Sequence, residues 1–306
     1  MASPTNTPTL NTTRLRILRE IAQRGTISAA AGALWLTPSA VSQQMTALER
    51  ELGVALLERT ARSVRLTDAG ARLVAHAERI LADCEAAVAD LESLGGVVTG
   101  TVRLSAFTTA EHLLILPALK LLRERYPALQ VLVTDYEPNL SMPALKSGQF
   151  DVVVSHEYNV APPYADPGID RVDVLTERML LALPASHPLA EKSARLLDFA
   201  DERWIVGPPG TSCRDAVVCA ANTVGFEPRI ELQFEDYRVI ATAVRQGLGV
   251  ALIPRIADLR GIRGLSLRAL EEPRLERTVY VAVRKGSSAS PAIAAVLNAL
   301  IEVSAG

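Results

Sequence analysis

Residues 25–53, GTISAAAGALWLTPSAVSQQMTALERELG, decide the fold of the first part of the chain. Apolar residues at helical spacing precede this stretch, and Gly25 is a typical helix stop. Ser28 is predicted to cap a second helix that contains the alanine run. Thr37 and Pro38 then form a helix start, because threonine caps free backbone N–H groups and proline lacks one. The sequence therefore predicts two short helices and a third helix that closes at the last glycine of the stretch.

The third predicted helix has two different faces. Its apolar face repeats at steps of three and four residues and is expected to be buried: Val41, Met45, Leu48 and Leu52. Short polar residues lie on the other face, near the helix start: Ser39, Ser42, Gln43 and Thr46. A helix fits the major groove of DNA, where its first residues reach base edges and a glutamine can read adenine. A well-capped polar surface helix explains the same pattern, so both interpretations stay open at this point.

A basic hairpin is predicted after these helices. Residues 56–66, LLERTARSVRL, indicate two short strands around a turn that contains arginine. Beside a helix-turn-helix such a hairpin is a wing, and its arginines would meet the DNA backbone or the minor groove. The candidate DNA-binding residues are Ser28, Thr37, Pro38, Ser39, Ser42, Gln43, Thr46, Arg62 and Arg65.

The net charge of −2 hides a basic N-terminal part. Residues 14–66 contain eight arginines and four glutamates, whereas residues 67–94 contain two arginines and six acidic residues. This asymmetry favours contacts with nucleic acid. The length of 306 residues, with 49% hydrophobic and 22% charged residues, is typical of about two folded soluble domains.

A long amphipathic helix is predicted after Thr67, which would cap it. Apolar residues continue at heptad spacing through Leu73, Ala77, Ile80, Cys84, Ala87, Leu91 and Leu94. Such a seam needs a partner, and we interpret it as a linker helix that joins two copies in a homodimer. Packing of the seam against the C-terminal part of the same chain is the alternative.

The order of these motifs resembles that of the LysR-type transcriptional regulators. The resemblance rests on residues 25–34, 37–44 and 48–59 and on Leu66-Thr67-x-Ala69-Gly70. It implies binding of double-stranded DNA by a winged helix-turn-helix, a long linker helix, and assembly into homodimers and homotetramers. Family members usually carry arginine or lysine at the position of Gln43 and phenylalanine at that of Leu57, so the resemblance implies an altered base preference here.

The C-terminal part alternates strands with helices, which predicts an α/β fold with parallel strands. The resemblance implies a two-lobed effector-binding domain like the type 2 periplasmic binding proteins. The expected boundaries are 14–67 for the DNA-binding domain, 68–95 for the linker helix and 100–306 for the effector-binding domain. Within that domain, lobe I is expected at about 100–171 and 278–306, and lobe II at about 172–277.

Hydroxyl side chains cluster at two predicted strand-to-helix junctions, where helix N-termini favour anions. The resemblance places a small-molecule effector there, and we expect an organic anion or an amino acid. The candidate effector-binding residues are Ser105, Thr108, Thr109, Ser155, Thr211, Ser212 and Arg214, with His156 and Glu157 at the floor. Helix capping explains the hydroxyls equally well, and the lone His156 is interpreted as a surface or loop residue.

Other functions leave weaker signals. The resemblance implies a redox-sensing regulator as an alternative, because some family members sense peroxide through two cysteines of the second lobe. Cys213 at a helix start is expected to have a lowered pKa, which favours this alternative. Cys219 lies six residues later on another helix face and is expected in the core, which counts against it. The two lobes alone would also suit a solute-binding protein. No catalytic, metal or cofactor motif is readable, so neither an enzyme nor a cofactor is expected. The sequence shows no membrane-spanning run and no secretory signal, so a cytoplasmic protein without a membrane partner is expected.

Overall fold

A computed structural model describes residues 9–59, 64–93, 97–146, 148–191 and 194–305. The chain divides into two compact units, Met1–Leu91 and Glu92–Gly306. Each unit buries apolar clusters of its own. Among the described residues, no helix combines the length and the apolar character that a membrane crossing requires.

Helices and one hairpin make up the first unit. Its elements are α1 (Thr12–Arg24), α2 (Ile27–Ala33), α3 (Pro38–Leu52), β1 (Leu57–Arg59), β2 (Val64–Leu66) and α4 (Asp68–Ser93). The predicted helix-turn-helix and the two strands of the wing are therefore confirmed. The start of α2 was predicted incorrectly, because Thr26 and not Ser28 is its N-cap. The Thr26 hydroxyl accepts a hydrogen bond from the amide of Ala29 at 3.2 Å, and Ser28 lies exposed within the first turn.

The core of the first unit forms between the apolar faces of α1 and α3. Val41, Met45 and Leu48 are fully buried, as their spacing predicts, and they pack with Leu18 and Ile21. Leu52, the last member of the predicted stripe, packs on this cluster and is only partly buried. The opposite face of α3 therefore remains available to solvent or to a partner.

The wing is attached to α3 and α4 by short polar contacts. The carboxylate of Glu49 accepts hydrogen bonds from the amides of Leu56 and Leu57 at 2.8 and 3.1 Å. Thr67 caps α4 as predicted, since its hydroxyl accepts from the amide of Gly70 at 3.0 Å. A Cβ at Gly70 would lie only 2.1 Å from the carbonyl oxygen of Leu56, so glycine permits this close approach.

The heptad seam of α4 has two environments. Ala77 and Leu81 are buried against Leu15 of α1, with Leu73 and Ile80 beside them. The first half of the seam therefore packs inside the first unit, which contradicts its assignment to a partner chain. In the second half Cys84, Ala87 and Leu91 are exposed, and Leu94 lies outside the described residues.

The second unit alternates strands and helices, as predicted. In chain order it contains β3 (Gly100–Ala106), α5 (Thr108–Ala110), a π-helical segment (Glu111–Ile115), α6 (Leu116–Arg125), β4 (Leu129–Asp135), α7 (Pro138–Lys146), β5 (Val152–Tyr158), β6 (Ile169–Pro184), a 3-10 helix (Leu196–Phe199), β7 (Arg203–Val206), α8 (Ser212–Thr223), β8 (Arg229–Gln233), α9 (Tyr237–Arg245), β9 (Ala251–Pro254), β10 (Leu265–Ala269), β11 (Glu276–Arg284), a second 3-10 turn (Ser287–Ala289) and α10 (Pro291–Ser304). The strand β10 had no counterpart among the predicted elements.

Seven strands form one mixed sheet in the order β10-β6-β11-β5-β3-β4, with β9 also paired to β6. The strands β4 and β5 are parallel to β3, as the alternating pattern predicts. The strand β11 is antiparallel to both β5 and β6, so the expectation of a parallel sheet is only partly correct. This strand enters the sheet from the second lobe, without the helical crossover that produces parallel pairing.

The strand β6 belongs to both lobes. Its residues up to Arg178 pair with β11, and those from Met179 onward pair with β9 and β10. The change of lobe therefore lies within β6 and not before Val172. Separate apolar clusters fill the two lobes, one around Val154 and Val281 and another around the fully buried Trp204. A cleft between the two lobes follows from this arrangement.

Candidate functional site

The start of α3 presents polar groups on a rigid frame. The Thr37 hydroxyl accepts from the amide of Ala40 at 3.2 Å and lies 3.0 Å from the Ser39 hydroxyl. Thr37, Pro38 and Ser39 are exposed. The Thr37 hydroxyl satisfies one free N–H group of the helix and Pro38 has none, so this end of α3 is stabilised by its own residues.

The next turns of α3 separate residues that face outward from residues that hold the unit together. Gln43 and Thr46 are exposed, whereas Ser42 is half-buried and its carbonyl accepts from the Thr46 hydroxyl at 3.0 Å. The neighbouring Gln44 accepts from Arg14 at 2.9 Å, and Arg14 also pairs with Glu51. Gln43 is therefore the exposed glutamine of the pair and Gln44 is a structural residue.

One of the two predicted DNA-binding arginines of the wing lies within the described residues. Arg65 is exposed in β2 opposite Glu58. Arg62 lies outside the described residues. Sequence reasoning missed one exposed residue nearby, Trp35, which lies in the turn between α2 and α3. Its side chain is 95% exposed and its φ is +55°, a region that large side chains rarely adopt.

The second unit contains a cavity of about 200 Å³ between its lobes. Thr108, Thr109 and Thr211 line it, so three of the seven candidate effector residues lie at this cleft. Ser105 and Ser155 are fully buried within strands. Ser212 contacts His156, and Arg214 lines a separate surface groove beside Asn222 and Ile230. The cavity is also lined by Glu137, His156, Cys213, Glu235, Asp236, Tyr237, Arg238, Asp258 and Arg277.

Arg277 is a buried cation at this cavity that sequence reasoning missed. Its guanidinium lies 2.5 Å from the carboxylate of Glu177 and donates to the Thr109 hydroxyl at 3.2 Å. The second carboxylate oxygen of Glu177 accepts from the amide of Ile256 at 2.9 Å. The sequence signal for a buried cation was an arginine next to an apolar strand run, but its partner Glu177 is distant in sequence and could not be identified. The pair gives the cleft a fixed polar wall.

Glu137 follows β4 and lies half-buried in the cleft. Burial raises its pKa to about 7, and the nearby carboxylates of Asp135 and Glu235 add to this increase, while Arg277 opposes it. A carboxyl group that titrates near neutrality in a cleft is a candidate for function. Sequence reasoning missed it because no motif surrounds it.

His156 is buried in β5, so its interpretation as a surface or loop residue is wrong. The expected floor residues belong to this strand because β5 runs on through Tyr158. Its Nε2 lies 2.8 Å from the Ser212 hydroxyl, and its ring packs edge-on against Phe107. Burial, reinforced by the charge of Arg277, holds the pKa of His156 well below its usual range. The ring is therefore neutral at physiological pH.

The two cysteines of α8 reverse their predicted roles. Burial raises the pKa of Cys213, although it lies in the first turn of α8 and contacts Thr211 and Tyr237. Burial outweighs the helix N-terminus, so the expected lowering of this pKa is wrong. Cys219 is exposed and its thiol donates to the carbonyl of Val160 at 3.3 Å, so it does not belong to the core.

Comparisons with known proteins match both units to one family. Residues 12–71 match the family described as "Bacterial regulatory helix-turn-helix protein, lysR family", and residues 95–305 match "LysR substrate binding domain". The chain belongs to the LysR family. This LysR-family protein is therefore a transcriptional regulator with a DNA-binding helix-turn-helix and an effector-binding domain.

Two curated relatives and one solved structure illustrate the likeness. The LysR-family chain is 26% identical to the transcriptional dual regulator GltC of Bacillus subtilis, covering 91% of this chain and 92% of GltC. It is 30% identical to a probable hydrogen peroxide-inducible genes activator of Mycobacterium avium, covering 89% and 88% of the two chains. A full-length OxyR variant from Pseudomonas aeruginosa has the same fold, with a TM-score of 0.73, 22% identity and 95% coverage of both chains.

Proposed function

We propose that this LysR-family regulator binds an operator through the exposed N-terminal face of α3 and that a small molecule in the interlobe cleft controls transcription. The observation that supports the proposal is the division of α3 into a buried apolar stripe and an exposed polar face. A helix supported in this way can place polar side chains in the major groove without losing its own core.

The DNA-binding residues remain those that the sequence predicts. Gln43 is proposed to read a base edge, with the short side chains of Ser39, Ser42 and Thr46 beside it. Thr37, Pro38 and Ser28 would lie near the phosphate backbone, together with Arg62 and Arg65 of the wing. The proposed domain boundaries are 14–67, 68–95 and 100–306.

The effector is proposed to be an organic anion or an amino acid that contacts Thr108, Thr109 and Thr211. Binding would favour one degree of lobe closure over another, because a ligand shifts a conformational equilibrium by its differential affinity. Closure of the lobes would then change the arrangement of the DNA-binding domains in the oligomer. Ser105, Ser155, Ser212 and Arg214 would support the cleft or lie outside it.

The assembly is proposed to be a homodimer through the exposed second half of α4 and, beyond that, a homotetramer. Cys84, Ala87 and Leu91 supply the apolar side chains of this surface. The first half of the seam is occupied within the first unit, so the interface would begin near Cys84. We propose a cytoplasmic location, as expected for a regulator that binds DNA.

A redox-sensing regulator is the second candidate, since one relative is described as a probable hydrogen peroxide-inducible genes activator. The raised pKa of Cys213 counts against it, because the thiolate is the reactive form. A solute-binding protein without DNA contacts is disfavoured by the helix-turn-helix match.

The test is fluorescence anisotropy of the purified protein with DNA from upstream of its own gene, over a salt series and with scrambled DNA as control. We expect specific binding that weakens with salt and changes when organic acids or amino acids are added. The Gln43→Ala variant should alter base preference. Equal binding to both DNAs by a folded protein, in the presence and absence of effectors, would contradict the proposal.

A further inference from the structure

The charged groups of the interlobe cleft do not balance. Four acidic residues line the cavity, namely Glu137, Glu235, Asp236 and Asp258, against the two arginines Arg238 and Arg277. Both arginines are already engaged. Arg277 pairs with Glu177, and Arg238 donates to the carbonyls of Asp258 and Arg260 at 3.0 and 3.3 Å. The cleft therefore has a surplus of negative charge.

Of these four carboxylates, those of Asp236 and Asp258 accept hydrogen bonds or form ion pairs, and, among the residues that the structure describes, those of Glu137 and Glu235 do not. Asp236 accepts from the amide of Arg238 at 2.7 Å, and Asp258 pairs with Arg260 at 2.8 Å. Glu137 and Glu235 have neither an ion pair nor a side-chain hydrogen bond within the described part of the chain. Their mutual repulsion contributes to the raised pKa of Glu137. An opposite charge placed beside them would remove this repulsion.

A second polar group at the cavity also lacks a partner. His156 is 6% exposed and lines the cleft, and its Nδ1 makes no hydrogen bond within the described residues. Buried polar atoms are nearly always hydrogen-bonded in native proteins, so an unpaired one calls for a partner. A nitrogen of a neutral imidazole can donate or accept a hydrogen bond, so the Nδ1 atom of His156 can bind a polar group whether or not that group is charged.

Groups suited to an anion also occur at the cleft. The Thr109 hydroxyl accepts from Arg277, which leaves its own proton free to donate. Thr211 is the N-cap of α8 but its side chain does not cap the helix, because its hydroxyl donates to the carbonyl of Pro208 at 2.8 Å. The uncapped N–H groups of α8 can therefore donate to a carboxylate. The cleft combines sites for both signs of charge.

We propose that the effector carries a protonated amine, held by Glu137 and Glu235, together with a carboxylate, so that amino acids and not simple organic acids are the ligand class. The proposal rests on the proposed function of the cleft as the effector site. It narrows the proposed effector from an organic anion or an amino acid to an amino acid, and it assigns recognition of the amine to two glutamates outside the sequence-predicted site.

The test is calorimetry of the full-length protein with matched triplets. Each triplet contains an amino acid, the carboxylic acid that lacks its amino group, and the amine that lacks its carboxylate. Leucine, 4-methylpentanoate and 3-methylbutylamine form one such set, and the twenty protein amino acids supply the others. We expect at least one amino acid to bind about ten-fold or more tightly than its deaminated partner, since an ion-paired hydrogen bond is worth more than a neutral one.

Two variants make the assignment specific. Glu137→Gln should weaken binding of that amino acid about ten-fold or more, because the charge pair with its amine is lost. The same variant should not weaken binding of the deaminated acid, which has no amine to pair with Glu137. Glu124→Gln, which removes the same charge from an exposed position of α6, should change neither affinity. Thermal melts of both variants check that the fold is retained.

The proposal is overturned if deaminated acids bind as tightly as their amino acids, if no amino acid in the panel binds, or if the folded Glu137→Gln variant keeps full affinity. These outcomes are independent of DNA binding. Wild-type protein that binds amino acids but no operator would contradict the regulatory function and leave the ligand class intact. Specific operator binding that responds only to organic acids would contradict the ligand class and leave the regulatory function intact.

Discussion

Arg277 and Glu177 form an ion pair in which both side chains are 2% exposed. The guanidinium also contacts Thr109 and lies 5.2 Å from the centre of the Phe107 ring, so β11, β6 and the segment after β3 meet at this point. Glu177 in turn accepts from the amide of Ile256, beyond β9. The pair therefore joins the two lobes where the cleft is formed.

Removing one member of this pair should destabilise the second unit strongly. We expect Arg277→Met to lower the free energy of unfolding by roughly 3–5 kcal/mol, because Glu177 would be left as an uncompensated buried charge. Urea denaturation measures the change. The double variant with Glu177→Met should be more stable than Arg277→Met alone. Arg125→Met, which breaks the exposed pair with Glu302, is the control and should have a small effect. Equal losses of stability in Arg277→Met and Arg125→Met would contradict this account.

The sequence predicts features that depend on neighbouring residues and misses those that depend on distant ones. Thr37, Pro38 and the stripe from Val41 to Leu48 belong to one helix and its N-cap, so local rules suffice for α3. Arg277 and Glu177 are a hundred residues apart, and pairing of β6 with β11 brings them together. The expected lowering of the Cys213 pKa is wrong for the same reason, since burial by other elements raises this pKa against the local effect of the helix start.

The backbone at Trp35 provides a test of local strain in the helix-turn-helix. A left-handed conformation costs an ordinary residue roughly 1–2 kcal/mol, and the 95% exposed indole recovers little by packing. Asparagine tolerates this conformation better. We expect Trp35→Asn to raise the free energy of unfolding of the first unit by about 0.5–1 kcal/mol. Chemical denaturation followed by circular dichroism measures it.

The control for Trp35→Asn is Trp204→Phe in the second unit, where the fully buried indole donates to the carbonyl of Phe199 at 3.2 Å. That change should lower stability, because it leaves a cavity and an unpaired carbonyl. A loss of stability in Trp35→Asn would show that the exposed ring makes contacts that offset the backbone strain.

The wing should contribute electrostatically and without base specificity. Replacing Arg62 and Arg65 by alanine should weaken binding to all DNA sequences and reduce the salt slope by about two phosphate contacts. Anisotropy titrations across a salt series give the slope. Arg123→Ala with Arg229→Ala removes two exposed arginines from the second unit and should leave the slope unchanged. An unchanged slope in the wing variant would remove the wing from the DNA interface.

The exposed half of α4 should determine dimerisation. Leu91 is 69% exposed, so Leu91→Lys has little fold to disturb, but it places a charge in the proposed apolar interface. We expect the dimer to dissociate at micromolar protein concentration, as measured by sedimentation velocity. Leu197→Lys introduces the same change at another exposed leucine and should leave the dimer intact. A Leu91→Lys protein that remains dimeric at all concentrations would place the interface elsewhere.

Glu137 should make stability depend on pH in a predictable direction. Its pKa in the folded protein is about 7, against about 4.3 in an unfolded chain, so the fold favours the neutral carboxyl group. Below about pH 4.3 Glu137 is protonated in both the folded and the unfolded protein, so it does not change the free energy of unfolding. As the pH rises from about 4.3 to about 7, the folded protein loses stability. Above about pH 7 this loss stays constant. We therefore expect Glu137→Gln to be more stable than wild type above pH 7 and the advantage to vanish at low pH. Denaturation series at several pH values measure the difference, and Glu124→Gln should show no comparable divergence. An advantage that grew toward acid pH would mean that Glu137 is stabilised as a carboxylate and that the acidic surplus of the cleft is already compensated.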